Sequence, residues 1–305
     1  MLVPKLRISI VEFLNTAPLV WGFTDGPLVG KYDLSFTLPS QCAEALRRGD
    51  ADAAIIPAIE YQRIENIVAL PGMAVAAKGE VRSILVVAKK PIEMVKRFAL
   101  DTSSRSSAAL VRLLAAGMWK INPEFVDAAP DPTEMLKQAD AALVIGDPAL
   151  RIAVKMDSLA GKLPSGEQCC QGDPDELPVP GFETIFVYDV AYQWQEMTGK
   201  PCVLAIWAAR RDAITPELVA DFEASKEYGV SRKREIAEGA SIKLDLPVGA
   251  LERYLTENVH YDLDEEYLDG LRIYYEKAAA AGLIPRAKAL ELAAPAAKST
   301  ARRGA

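Results

Sequence analysis

Short apolar runs alternate with amphipathic stretches along most of the chain, and the period of the apolar positions tells the two apart. Leu6, Ile8 and Ile10 recur at every second residue and predict a strand. A helix opens after it at Leu14-Asn15-Thr16-Ala17-Pro18-Leu19, with Asn15 or Thr16 as its cap and Pro18 in its first turn. Tyr32, Leu34, Phe36 and Leu38 alternate again, Ser40 is expected to cap a helix running to about Arg48, and Ala53-Ala54-Ile55-Ile56 reads as a buried strand. Pro57-Ala58-Ile59-Glu60-Tyr61 then begins another short helix, so three strand-to-helix turns precede residue 65. Strands alternating with helices predict a parallel sheet covered on both faces.

The pattern restarts after an apolar strand over 83–88 that ends at Lys89-Lys90-Pro91, which puts a crossing between two units there. The second unit holds a strand over 97–100, a polar run over 101–107, a helix over 108–118, a strand near 124–126 and a helix over 132–138. The buried strand Ala141-Ala142-Leu143-Val144-Ile145 delivers Gly146-Asp147-Pro148, with Asp147 as helix cap and Pro148 in the first helical position. Residues 157–181, rich in Gly, Pro, Ser and acidic residues, predict a surface loop carrying Cys169 and Cys170. A helix containing Trp194 follows, and the apolar strand over 203–209 is the return crossing. From Thr215-Pro216, read as cap and first position, the pattern is helical. Tyr267, Leu268, Leu271, Tyr274 and Tyr275 form one apolar face there. The expected organisation is a first lobe from 1–88 with 206–292, a second lobe from 89–205, and a disordered tail over 293–305. This is a two-lobed α/β, periplasmic-binding-protein-like (type II) fold with two interlobe crossings, in which ligands bind outside the strands' C-terminal ends.

In that frame the run Asp101-Thr102-Ser103-Ser104-Arg105-Ser106-Ser107 lies between a strand and a helix N-terminus. Free N–H groups of a first helical turn favour anions, the hydroxyls add donors, and Arg105 can grip a carboxylate with a two-toothed fork. A cap at Thr102 or Ser103 with the other hydroxyls in water is the plainer alternative. A cation in the first turn opposes the helix dipole unless an anion compensates, which favours a small acidic ligand.

Composition removes other classes. The 305 residues are 50% hydrophobic and 25% charged, enough for two domains with a sizeable core. Lys plus Arg number 35 against 42 Asp plus Glu, a net charge of -7, and the basic residues are dispersed, which argues against nucleic acid. No apolar run reaches the roughly 20 residues a bilayer requires, and the first residues lead into a strand without a signal-like segment, so a cytoplasmic location is expected. Cys42, Cys169, Cys170 and Cys202 fit reduced thiols. The sole histidine, His260, lies in a charged stretch read as helical, so zinc clusters and Ser-His-Asp catalysis lack material.

Five segments carry a family resemblance: Phe13 to Leu19, Ile56 to Tyr61, Val81-Arg82-Ser83, the 101–107 run, and Ile145-Gly146-Asp147-Pro148-Ala149-Leu150. In order and spacing, from about Arg7 to Arg211, the chain resembles chorismate dehydratase of the futalosine route to menaquinone. The resemblance implies an enzyme that removes water from chorismate, giving 3-[(1-carboxyvinyl)oxy]benzoate, with no metal or organic cofactor. It places Asn15 and Ser83 near the reacting ring as catalytic residues, and Ser103, Ser104 and Arg105 in a carboxylate cradle. Thr16, Ser40, Pro57 and Ala58 from the first lobe's turns, and Thr102, Gly146 and Asp147 from the second, complete the expected substrate contacts. Glu12 stands where the family more often has a neutral residue, and the 157–181 loop is longer than usual.

The C3 proton of chorismate is allylic and conjugated to the ring carboxylate, so charge left on its removal delocalises onto a group that donors can stabilise. The expected acceptor is the substrate's own enolpyruvyl carboxylate, with Glu12 and Glu60 as protein alternatives. Two other functions use the same fold. One is a solute-binding protein without turnover, which would carry a secretion signal. The other is the related futalosine-pathway enzyme acting on a cyclic nucleoside, which resembles a Ser-Pro-Cys-Pro-Asn-Asp pattern and uses histidine, where this chain has Leu14-Asn15-Thr16-Ala17-Pro18 and a remote His260.

Overall fold

A computed structural model describes residues 5–159 and 167–294. Its strands are β1 (Arg7–Val11), β2 (Asp33–Thr37), β3 (Ala53–Pro57), β4 (Ile67–Ala77), β5 (Ile84–Ala88), β6 (Arg97–Asp101), β7 (Glu124–Ala128), β8 (Ala141–Ile145), β9 (Glu167–Gln171), β10 (Thr184–Asp189) and β11 (Cys202–Arg210). The helices are α1 (Ala17–Thr24), α2 (Pro39–Arg48), α3 (Arg105–Leu114), α4 (Pro132–Gln138), α5 (Gly146–Leu159), α6 (Val190–Thr198), α7 (Pro216–Val230), α8 (Lys233–Leu244), α9 (Val248–Arg253) and α10 (Glu265–Ala280).

One sheet has the order β2-β1-β3-β11-β4 and the other β7-β6-β8-β5-β10-β9. Both are mixed rather than parallel. In the first, β1 runs parallel to β2 and β3, but β11 is antiparallel to β3 and β4. In the second, β6 is parallel to β7 and β8, while β5 is antiparallel to β8 and β10. β5 and β11 are the strands that arrive from the other lobe, so they enter their sheets from the cleft end; β9, antiparallel to β10, is reversed as an edge strand within its own lobe. Fully apolar β3, β5 and β8 are buried on both faces, as strands covered by helices must be.

The crossings differ from the sequence expectation. Ile84–Ala88 pairs within the second sheet, so the chain changes lobes over 78–83, before that strand, and Cys202–Arg210 lies wholly in the first sheet, so it returns before Cys202. The strand Ile67–Ala77 is not expected from the sequence, because Pro71-Gly72 interrupts its apolar run. Part of the expected 157–181 loop is regular: α5 extends to Leu159 and β9 forms an edge strand on β10 with Cys170 buried, while 160–166 fall outside the described residues. The expected tail begins too early, since Ala293 donates to the Ala69 carbonyl at 2.8 Å, and from 295 it lies outside the described residues. His260 is extended, not helical, and bridges to Ala76.

Local signals were obeyed where the partner is near in sequence. Asp131 caps α4 and Thr215 caps α7 with their side chains, each followed by Pro in the first turn. Ser40 does not cap α2: Leu38 takes that position without a side-chain bond, and Pro39 opens the helix. Leu14–Thr16 forms a 3₁₀ turn before α1, and the Thr16 hydroxyl donates to the carbonyls of Val11 and Phe13 instead of capping.

Candidate active site

The C-terminal ends of β1, β3 and β8 face each other across a cleft that is partly open to solvent. Six expected site residues line it: Asn15, Thr16 and Pro57 from the first lobe, and Ser83, Ser104 and Gly146 from the crossing and the second. Ser107 joins them, one turn along α3 from Ser104. Ser104 is the true cap of α3, accepting the Ser107 N–H at 3.4 Å and donating to the Ser107 Oγ at 2.7 Å. α2, α3 and α5 all begin at the cleft, through Pro39, Ser104 and Gly146. Their positive ends converge on it.

Gly146 has φ +66, and a Cβ there would come within 2.6 Å of the Phe13 ring. Only glycine lets the two lobes approach so closely. Next to it, Asp147 sits inside the first turn of α5 rather than capping it, and its carboxylate accepts the Leu14 N–H at 3.0 Å. It is thus a bond between lobes, and burial holds its carboxyl above the usual range. Asp147 and the exposed Glu12 line a larger neighbouring cleft against α1 and α8, not the one holding Ser83.

The rest of the 101–107 run serves the joint between lobes. The Ser103 carbonyl accepts the Ser40 N–H at 3.0 Å, and the Ser106 Oγ accepts the Ile59 N–H at 3.1 Å. The Ala58 carbonyl accepts the Tyr275 hydroxyl at 2.7 Å. Thr102 is exposed. Arg105 does not reach the cleft lining: it donates to Glu60 at 2.9 Å and to Glu44 at 2.8 Å, both on the first lobe. The anion that its place in the helix demands is supplied by the protein.

Glu60 is fully buried and also accepts from Arg47 at 2.5 Å and Arg63 at 2.8 Å. Burial by itself would raise its carboxyl, yet the guanidiniums outweigh it and hold the group below the usual range. A carboxylate so fully bonded is a poor base, which leaves Glu60 as structure.

Ser83 has the opposite condition. It is 1% exposed, and its Oγ has no hydrogen-bond partner. Buried polar atoms are rarely left so without a purpose. Tyr254, buried in a π-helical turn over Tyr254–Asn258, stands beside Ser83 and Asn15, and burial drives its hydroxyl pKa far up. That turn is tied to the crossing by Asn258, which donates to the Glu80 carbonyl at 3.1 Å. Tyr254 carries no local signal in the sequence. Ser107 had one, since it follows Ser104 at the spacing of one helical turn.

The lining residues include no Asp, Glu, His, Cys, Lys or Arg. Among the described residues no group of three or more His, Cys, Asp or Glu is placed to hold a metal, and no helix is long and apolar enough to cross a membrane. His260 lies elsewhere, its Nδ1 2.5 Å from the Tyr267 hydroxyl.

A family model described as menaquinone biosynthesis matches residues 6–280. A chorismate dehydratase from Thermus thermophilus is 29% identical over 241 residues, 78% of this chain and 84% of its own. Among solved structures, a protein from Archaeoglobus fulgidus superposes with a TM-score of 0.67 at 19% identity, over 92% of this chain and 98% of its own. The alkanesulfonate-binding protein of Xanthomonas axonopodis pv. citri, bound to MOPS, gives 0.62 at 15%, over 94% and 96%. The periplasmic aliphatic sulphonate binding protein of Escherichia coli gives 0.57 at 16%, over 94% and 91%. The fold is therefore the two-lobed, periplasmic-binding-protein-like one that the strand pattern predicts.

Proposed function

The chain belongs to the menaquinone biosynthesis family, and we propose that it is a chorismate dehydratase, a cytoplasmic hydro-lyase converting chorismate to 3-[(1-carboxyvinyl)oxy]benzoate and water. The Thermus thermophilus relative supports the activity by name and by its share of the chain. The observation that carries the reading into chemistry is the lining of the cleft. Neutral donors from Asn15, Ser83, Ser104 and Ser107 surround a space with no ionisable side chain, at the N-termini of three α-helices.

A dicarboxylate suits such a space, since each helix terminus favours an anion by about 0.3–1 kcal/mol without a counter-cation. The C3–H bond breaks, its electron pair enters the ring in conjugation with the C1 carboxylate, and the C4–O bond breaks as hydroxide leaves. Proton and hydroxide make the water, the ring becomes aromatic, and no oxidant is required. Glu60 is bound to three arginines and Glu12 lies outside this cleft, so the enolpyruvyl carboxylate of the substrate itself takes the C3 proton. Asn15 and Ser83 donate to the oxygens on which charge develops.

Incubating the purified protein with chorismate, and following aromatic ultraviolet absorbance and the mass loss of one water, tests this directly. Turnover is expected, and it is expected to survive a chelator, because no lining side chain is a carboxylate, imidazole or thiolate. Tight binding without product would return the chain to the solute-binding class of its structural neighbours.

A further inference from the structure

The crossing that carries Ser83 is held by a buried carboxylate from the second lobe. Asp189 ends β10, is 5% exposed, and forms no ion pair among the described residues. Its Oδ1 caps α6, accepting the N–H groups of Ala191 at 3.0 Å and Tyr192 at 3.1 Å. Capping requires no more than that oxygen. Its Oδ2 instead accepts the Arg82 N–H at 2.6 Å, across 107 residues of chain.

Arg82 has φ +64, a left-handed conformation that a non-glycine side chain keeps only when its surroundings over-determine it. Here they do. The guanidinium reaches over α5 to the Ala153 carbonyl at 3.1 Å and to Asp157 at 2.6 Å, while the N–H is held by Asp189. The next residue is Ser83, whose carbonyl accepts the Gly146 N–H at 2.8 Å. The peptide leading into Ser83 is thus fixed from both sides, at a residue that lines the cleft and whose buried Oγ has no hydrogen-bond partner.

We propose that Asp189 is a positioning residue for the dehydration: as a carboxylate it clamps the Arg82 turn and thereby aims the Ser83 hydroxyl at the substrate. The proposal rests on the reading of Ser83 as a substrate contact. The groups facing Asp189 are Glu80 and Arg82 on the crossing, Cys202 on β11 and Tyr254 on the π-helical turn. Arg82 turns its charge away to Asp157, and Glu80 adds a like charge. Burial first, with Glu80 reinforcing it, brings the Asp189 carboxyl up to about 6. Protonation removes one acceptor from the clamp, so the Ser83 side of the cleft loosens as pH falls through that value.

Asp189→Ser keeps a cap for α6 but leaves the Arg82 N–H without its partner, and Asp189→Asn removes the titration. With chorismate as substrate, both are expected to lower kcat by about ten- to a hundredfold with KM within roughly twofold, the loss typical of a misplaced contact. The wild-type kcat should decline below about pH 6, and that limb should vanish in Asp189→Asn. Wild-type kcat in both variants, or a limb that persists in Asp189→Asn, overturns the proposal. A second readout needs neither a variant nor turnover. The Arg82 amide proton resonance in the wild-type protein should lie downfield and titrate near pH 6, and an amide shift flat across that range overturns the clamp. If chorismate is not turned over at all, the function reading fails on its own and the amide titration still decides the clamp.

Discussion

Two polar regions meet the N-terminal end of α3 from opposite sides, and they use their hydrogen bonds differently. Behind the helix, Glu44 and Glu60 face Arg47, Arg63 and Arg105 in a cluster that joins the lobes. On the cleft side, Asn15, Ser83, Ser104 and Ser107 carry no charge, and the Ser83 Oγ is unpartnered. The charged region looks more like a catalytic centre at first sight, yet its groups satisfy one another and leave nothing for a ligand. The neutral region keeps an unused hydrogen-bonding hydroxyl at Ser83, beside the cleft proposed to take the substrate. Saturated polar networks hold structure, whereas an unpartnered buried hydroxyl on a residue that lines a cleft still has a hydrogen bond to give.

The sharpest way to break this comparison is Glu60→Gln. Removing the buried charge leaves three guanidiniums, each about one-third exposed and two of them still paired with Glu44, so a loss of about 2–3 kcal/mol in denaturant unfolding is expected after solvent screening. The kcat of the protein still folded should stay near wild type; abolished turnover in a folded, chorismate-binding variant would instead make Glu60 the base. The pH dependence has a definite sign. Folding lowers the Glu60 pKa, so the cluster gives its full stability above the unfolded value near 4.5 and loses it as pH falls below that. Ser83→Ala should do the reverse: kcat down by about 10²–10³-fold, the cost of a lost oxyanion-type donor. Its melting temperature should hold or rise, because the Oγ forfeits no bond.

Arg105→Ala tests the boundary between the regions. With its side chain about one-third exposed and its bonds made to Glu44 and Glu60, it should cost roughly 1–2 kcal/mol of stability after solvent screening. KM should move by less than about threefold, whereas a true carboxylate grip would raise it by about ten- to a hundredfold. Ser104 belongs to both regions, as helix cap and cleft lining. Ser104→Ala should give the smallest effect, about 1 kcal/mol of stability, with a modest rise in KM.

The legible parts of the molecule share a cause. Period-two runs such as Leu6, Ile8 and Ile10, the cap at Thr215, and the hydroxyl-rich start of α3 depend on interactions within a few residues. The five family segments likewise brought Asn15, Ser83, Ser104 and Gly146 to one cleft. What failed was a choice among partners of equal chemistry. Arg105 was rightly read as needing an anion, but Glu60 and Glu44, 45 and 61 residues away, satisfy the same electrostatics as a ligand carboxylate. Asp147 was read as the cap of its helix, but it sits inside the first turn of α5, and the N–H its carboxylate takes is that of Leu14, 133 residues earlier.

By itself, then, the amino-acid sequence determined the α/β strand-and-helix order, the turns that carry polar groups and the family they belong to, because hydrophobic period and capping are local. Only the tertiary structure decided that the sheets are mixed, that the crossing lies over 78–83, and that Tyr254 and Asp189 stand around Ser83. Those outcomes depend on which strand ends meet after the chain has changed lobes twice. A hydrogen-bonding group is indifferent to the sequence distance of its partner and responds only to position and desolvation.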